Sequence, residues 1–143
     1  MAAAVDTCRH LLADPGRLRL VHGDLHYANV LTGPRGWVAI DPKPLVGDPE
    51  FDLLPLLRNR WTDITATGDP ARAVRQRLAV LVDAANLDGD RARRWARVRA
   101  VDDALWGLEH HDPVFAATAW AITEALSSTA GNTTLIDGAD RTS

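Results

Sequence analysis

The chain of 143 residues has one cysteine, Cys8, and one lysine, Lys43. A lone cysteine excludes an intrachain disulfide and suits a reducing compartment. No uninterrupted apolar run is long enough to cross a bilayer. The start, Met1-Ala2-Ala3-Ala4-Val5-Asp6, lacks the basic and long apolar parts of an export signal. The expectation is a soluble, cytoplasmic protein with no membrane partner. Positive charge is also in short supply: 16 Lys and Arg against 19 Asp and Glu give −3, which argues against nucleic acid as a partner. What the chain does have is 46% hydrophobic residues, enough for one globular domain with a core.

Periodicity and turn residues divide the chain. Residues 2–13 read as a helix stopped by Asp14-Pro15-Gly16. Residues 18–21 are a short strand candidate. Residues 29–32 and 37–40 form two strands around the turn Gly33-Pro34-Arg35-Gly36. The proline-rich stretch 41–49 reads as a loop. Residues 49–61 read as one helix with Leu53, Leu54, Leu56 and Leu57. Asp69-Pro70 caps a helix with Val74, Leu78, Leu81, Val82 and Ala85 on its inner face. After Leu87-Asp88-Gly89, a further helix has an expected inner face of Trp95, Val98, Val101, Leu105 and Leu108. Asp112-Pro113 opens a last helix that buries Phe115, Ala119, Ile122 and Leu126. Trp61, Trp95, Trp106 and Trp120 fall at helical spacings, so most are expected to pack in the core. The fold class is α+β, mostly helical, with a small β-hairpin holding polar groups.

Those polar groups carry the chemistry. In His22-Gly23-Asp24-Leu25-His26-Tyr27-Ala28-Asn29 an acid is followed five positions later by an amide, and a second acid, Asp41, comes just after the hairpin. Phosphoryl transfer from a nucleotide uses such a set: a carboxylate to orient the acceptor hydroxyl and take its proton, and an amide and a second carboxylate to hold magnesium. Asp24 is the candidate base, an assistance typically worth ~10² to 10⁴ in rate. Asn29 and Asp41 are the candidate metal ligands, hard oxygens of the kind magnesium prefers.

His22-Gly23-Asp24-Leu25-His26 with Asn29, then Ile40-Asp41-Pro42-Lys43-Pro44, Gly47-Asp48-Pro49 and Asp52-Leu53, resembles the aminoglycoside phosphotransferase family. Asp-Pro-Lys-Pro, Gly-Asp-Pro and Arg58-Asn59-Arg60-Trp61 resemble its branch of streptomycin 6-kinases and hydroxyurea phosphotransferases. The resemblance covers roughly residues 10–128. It implies a protein-kinase-like C-terminal lobe over 1–128, while the stretch 129–143, rich in Ser, Thr, Gly and Asn, reads as a disordered tail. It matches Asp24 to the catalytic aspartate, and Asn29 and Asp41 to the metal ligands. ATP is then the phosphoryl donor, Mg²⁺ the cofactor, and a small molecule such as an aminocyclitol antibiotic or hydroxyurea the acceptor. His22 is expected to brace the loop. His26 and Lys43 are candidates to touch substrate or phosphate. Asp48 and Asp52 are candidates either to brace the loop through its amides or to cap a helix. Substrate contacts are sought among Asp102, Asp103, Glu109, His110, His111, Asp112 and Glu124, although such carboxylates are more often a solvated face.

Kinases also grip the nucleotide with a lysine on an N-terminal-lobe strand. Only 23 residues precede Asp24 here, and none is lysine. The chain therefore reads as a kinase lobe without its nucleotide-gripping half, weak or inactive by itself, and in need of that lobe or a second copy to cover its exposed face. Two rival readings stand beside this one. The first is a metal-dependent hydrolase, with His22, Asp24 and His26 on one face of a strand. The second is a non-catalytic interaction module.

Overall fold

A computed structural model describes residues 2–127. The tail expected over 129–143 lies outside the described residues. In chain order the elements are α1 (Ala2–Ala13), β1 (Arg19–Val21), β2 (Val30–Gly33), β3 (Gly36–Ala39), β4 (Leu45–Gly47), α2 (Leu53–Arg58), α3 (Trp61–Ala66), α4 (Pro70–Ala85), α5 (Gly89–Glu109) and α6 (Pro113–Ser127). The fold is mostly helical with two small antiparallel sheets, an α+β arrangement. No helix among the described residues is long and apolar enough to cross a membrane.

Three helices start where a carboxylate captures a free amide of the first turn. Asp69 accepts from Arg72 N at 3.0 Å, Asp88 from Arg91 N at 2.8 Å, and Asp112 from Phe115 N at 2.9 Å. The core lies where α2, α4, α5 and α6 meet, around Leu54, Leu57, Val74, Ile122 and Leu126. On α5 the buried face differs from the expected one. Ala92, Ala96, Ala100, Ala104 and Gly107 are buried beside Trp95 and Val101, whereas Leu108 is exposed. Small residues let α5 and α6 approach closely: a Cβ on Gly107 would lie 2.9 Å from Ala116 N. Core packing of the tryptophans holds for Trp95 but not for Trp106 and Trp120, which are exposed.

Two further expectations need correction. Stretch 41–49 is not all loop, because β4 pairs antiparallel with β1, Leu20 opposite Val46. Stretch 49–61 is not one helix. A 3₁₀ turn, Pro49–Asp52, leads into α2, and the chain breaks at Asn59 before Arg60 turns left-handed (φ 52°) to start α3. The β2–β3 hairpin has the register Val30 to Ala39 and Leu31 to Val38. Both ribbons leave apolar side chains in solvent: Leu20, Val46, Leu31, Trp37 and Val38 are all exposed.

Candidate active site

Strand β1 ends at Val21, and the chain then folds into a tight loop over residues 22–29. Gly23 takes φ +81°, and a Cβ there would meet the Lys43 carbonyl oxygen at 2.2 Å, so only glycine fits this crossing. Within the loop the Asp24 carbonyl accepts from His26 N at 3.0 Å and from Asn29 Nδ2 at 3.0 Å. The Asn29 side chain is buried, and with its nitrogen engaged its carboxamide oxygen is left to accept. Hairpin pairing then continues one step past β2 and β3: Ile40 N donates to Asn29 O at 2.9 Å. That bond places Asp41, the next residue, at the same hairpin end as Asn29. Asp41 sits at φ 53°, a left-handed conformation that aspartate tolerates better than most residues.

His22 ties these pieces together. Its Nε2 lies 2.8 Å from Ile40 O, and its Nδ1 lies 3.3 Å from Asp24 N. Both contacts are satisfied by one tautomer, with the proton on Nε2 and the lone pair on Nδ1. Asp52 clamps the loop from below through both oxygens, accepting from His22 N at 2.7 Å and Gly23 N at 2.8 Å. Asp48 reaches elsewhere. It accepts from Gly16 N at 2.9 Å, from Arg91 Nε at 2.7 Å and from Trp95 Nε1 at 2.6 Å, joining the α1–β1 turn to α5. Neither carboxylate caps the helical turn it precedes. Burial would raise the Asp48 carboxyl, but the hydrogen bonds from Arg91, Trp95 and Gly16 hold it below the ordinary carboxylate value.

Asp24 is half-buried, and Lys43 Nζ donates to its Oδ2 at 2.7 Å. That bond is the main reason the Asp24 carboxyl lies below its ordinary value, outweighing partial burial. His26 is half-buried within the loop, fixed through its backbone to Asp24 and Asn29.

Several contacts around the loop were given no role by the sequence, although Arg58 and Asn59 belong to the segment Arg58-Asn59-Arg60-Trp61. Asn59 Oδ1 accepts from Tyr27 N at 2.6 Å, fixing the loop to the break between α2 and α3. Beside it Arg58 pairs with Asp103 of α5 and lies 4.5 Å from the centroid of the Phe115 ring. Burial raises the Asp103 carboxyl against the pull of Arg58 and Arg99. Of the expected substrate-side groups, Asp103 is thus committed to an internal ion pair and Asp112 to a helix cap, while His110 stacks on Trp106 at 4.1 Å.

The rival hydrolase geometry is not realised. Residues 22–26 are a loop rather than a strand, so His22, Asp24 and His26 do not alternate on one face. Both ring nitrogens of His22 are engaged. Among the described residues no group of three His, Cys, Asp or Glu side chains is placed to hold a metal ion.

Asp24 and Asn29 thus lie on one short loop, and the β2–β3 hairpin ends beside it at Asp41. The profile of the aminoglycoside/hydroxyurea antibiotic resistance kinases matches residues 1–111, and the chain belongs to that family. Among its relatives, the streptomycin 6-kinase of Streptomyces griseus is 46% identical over 118 residues, which cover 82% of this chain and 38% of that protein. The hydroxyurea phosphotransferase of Kitasatospora aureofaciens is 43% identical over 120 residues, covering 83% and 33%. The streptomycin 3''-kinase of Klebsiella pneumoniae is 37% identical over 111 residues, covering 74% and 41%. The chain thus spans well under half the length of these relatives. No solved structure matches it.

Proposed function

We propose that this chain is the kinase-like catalytic lobe of a phosphotransferase that moves a phosphoryl group from ATP to a hydroxyl of a small molecule, an antibiotic of the streptomycin or hydroxyurea kind. The observation that supports the reading is the backbone connection of the segments that carry Asp24, Asn29 and Asp41: Asn29 Nδ2 bonds to Asp24 O, and Ile40 N, one residue before Asp41, bonds to Asn29 O. Family membership supports it, and the names of the relatives supply the acceptor class.

In this reading Asp24 accepts a hydrogen bond from the acceptor hydroxyl and aims its oxygen at the γ-phosphorus. The hydroxyl proton passes to Asp24 as the new O–P bond forms, and the bond to the departing ADP breaks in line. A carboxylate is a weak base, so orientation of the hydroxyl is the larger contribution expected of Asp24. The Asn29 amide oxygen and the Asp41 carboxylate fit magnesium, an ion that takes one or two oxygens from protein and the rest from phosphate and water. When bound, it neutralises charge on the phosphate oxygens. In this reading His22 and Asp52 brace the loop, Asp48 braces the scaffold behind it, His26 is the candidate contact to phosphate or substrate, and Lys43 is engaged by Asp24.

The nucleotide-gripping groups are assigned to a segment outside this chain. The exposed apolar side chains on both ribbons support a partner there, an N-terminal lobe or a second copy. The non-catalytic reading rests on that same exposed surface.

The test is ATP-dependent phosphorylation of streptomycin and of hydroxyurea, by the chain alone and with the N-terminal segment of a relative supplied separately. The account expects little or no turnover alone, turnover with the segment, and its loss in Asp24→Asn. Ordinary turnover by the chain alone contradicts the missing-half reading. Turnover that survives Asp24→Asn contradicts the role of Asp24, and no turnover in any combination favours the interaction module.

A further inference from the structure

The only lysine of the chain stands between two prolines, in Pro42-Lys43-Pro44. The rings stiffen the backbone on both sides. Lys43 N donates to His22 O at 2.8 Å, and its carbonyl packs against Gly23 so closely that no Cβ would fit. The loop after Asp41 is therefore stacked backbone on backbone against the loop that carries Asp24. From this base Nζ reaches Oδ2 of Asp24 at 2.7 Å, although the lysine side chain is 70% exposed. Exposed ion pairs add little to stability. Such a firm mounting under an exposed ammonium calls for a reason other than folding.

We propose that Lys43 is a positioning residue for Asp24. By holding Oδ2 it fixes the rotation of the carboxylate about its last bond and leaves Oδ1 as the oxygen offered to the acceptor hydroxyl. A free carboxylate would spread its two oxygens over many orientations, and fixing one is the kind of preorganisation that transfer in line rewards. The role is separate from binding, because the contact is made to Asp24 itself. This inference rests on the reading of Asp24 as the hydroxyl-orienting group.

A single lysine makes the test clean. Labelled with ¹⁵N-lysine, the 143-residue chain gives one Nζ signal from residue 43. The signal is expected to shift, and its ammonium protons to exchange faster, in Asp24→Asn. An Nζ signal that ignores Asp24→Asn overturns the proposal while leaving the assignment of Asp24 to be judged by activity. In the reconstituted assay above, Lys43→Met is expected to lower kcat about ten- to a hundredfold with the acceptor KM unchanged within about twofold. Lys43→Arg, which keeps charge and donor, is expected to restore part of that loss. A Lys43→Met variant with normal kcat and raised KM makes Lys43 a binding contact and overturns the proposal. Full kcat in Asp24→Asn removes its foundation.

Discussion

Asp48 and Asp24 each meet one basic side chain, but under opposite conditions. The Asp48 side chain is 2% exposed and Arg91 beside it is 14% exposed, whereas Asp24 is 25% and Lys43 70% exposed. Asp48 spends all its accepting capacity inward, on Gly16, Arg91 and Trp95. Asp24 has one oxygen held by lysine and borders solvent. A carboxylate paired with a basic side chain is a structural joint where water is excluded and an accessible polar group where it is not. The difference teaches that ion pairing alone does not mark a site. What sets Asp24 apart is its access to solvent on a loop that Asp52 holds by two amides.

The largest effect should come from the buried joint. Asp48→Ala leaves Arg91 charged and mostly buried, with only the Leu11 and Asp14 carbonyls as acceptors. Urea unfolding is expected to show a loss of about 3 kcal/mol. The same pair sets an acid limit. The folded Asp48 carboxyl lies below its unfolded value, so its stabilisation is complete above about pH 4 and is lost as pH falls through the folded value. The acid limb of a stability-against-pH curve should therefore flatten in Asp48→Asn.

Asp52→Asn comes next. An amide offers one accepting oxygen where the carboxylate served both His22 N and Gly23 N. The expected cost is about 1 to 2 kcal/mol by urea unfolding, with a fall in phosphotransfer larger than the fall in stability implies. Smallest of all is Lys43→Met. Its stability should stay within about 0.5 kcal/mol of the parent, whatever happens to turnover. A large loss of stability there, or none in Asp48→Ala, would reverse the comparison.

Local signals were the legible part. Carboxylates before Pro70 and Pro113 mark two helix starts because capping is decided within one turn. The hairpin was legible through its glycines and proline. Hidden from the sequence was whatever depends on partners far along the chain. Strand β4 has three residues between prolines, and its pairing partner, β1, lies on the far side of the hairpin. The break at Asn59 and Arg60 carries no glycine or proline of its own, and the nearest proline, Pro55, lies inside α2. On α5 the large residues revealed only part of the buried face: Trp95 and Val101 are buried, but Leu108 is exposed, and close packing against α6 selects alanine and glycine. In the candidate site, Asp24, Asn29 and Asp41 are recognisable by order and spacing. The contacts of Asp48 with Arg91 and Trp95, 43 and 47 positions away, are made by the fold alone.

The central claim is that Asn29 and Asp41 hold one divalent ion beside Asp24. Manganese can stand in for magnesium, since both favour oxygen ligands, and its unpaired electrons broaden nearby amide signals. In a ¹⁵N spectrum of the chain with added Mn²⁺, broadening should centre on residues 24, 29 and 41 and disappear in Asp41→Ala. Broadening centred instead on the acidic residues of α5, or left unchanged by Asp41→Ala, would contradict the account.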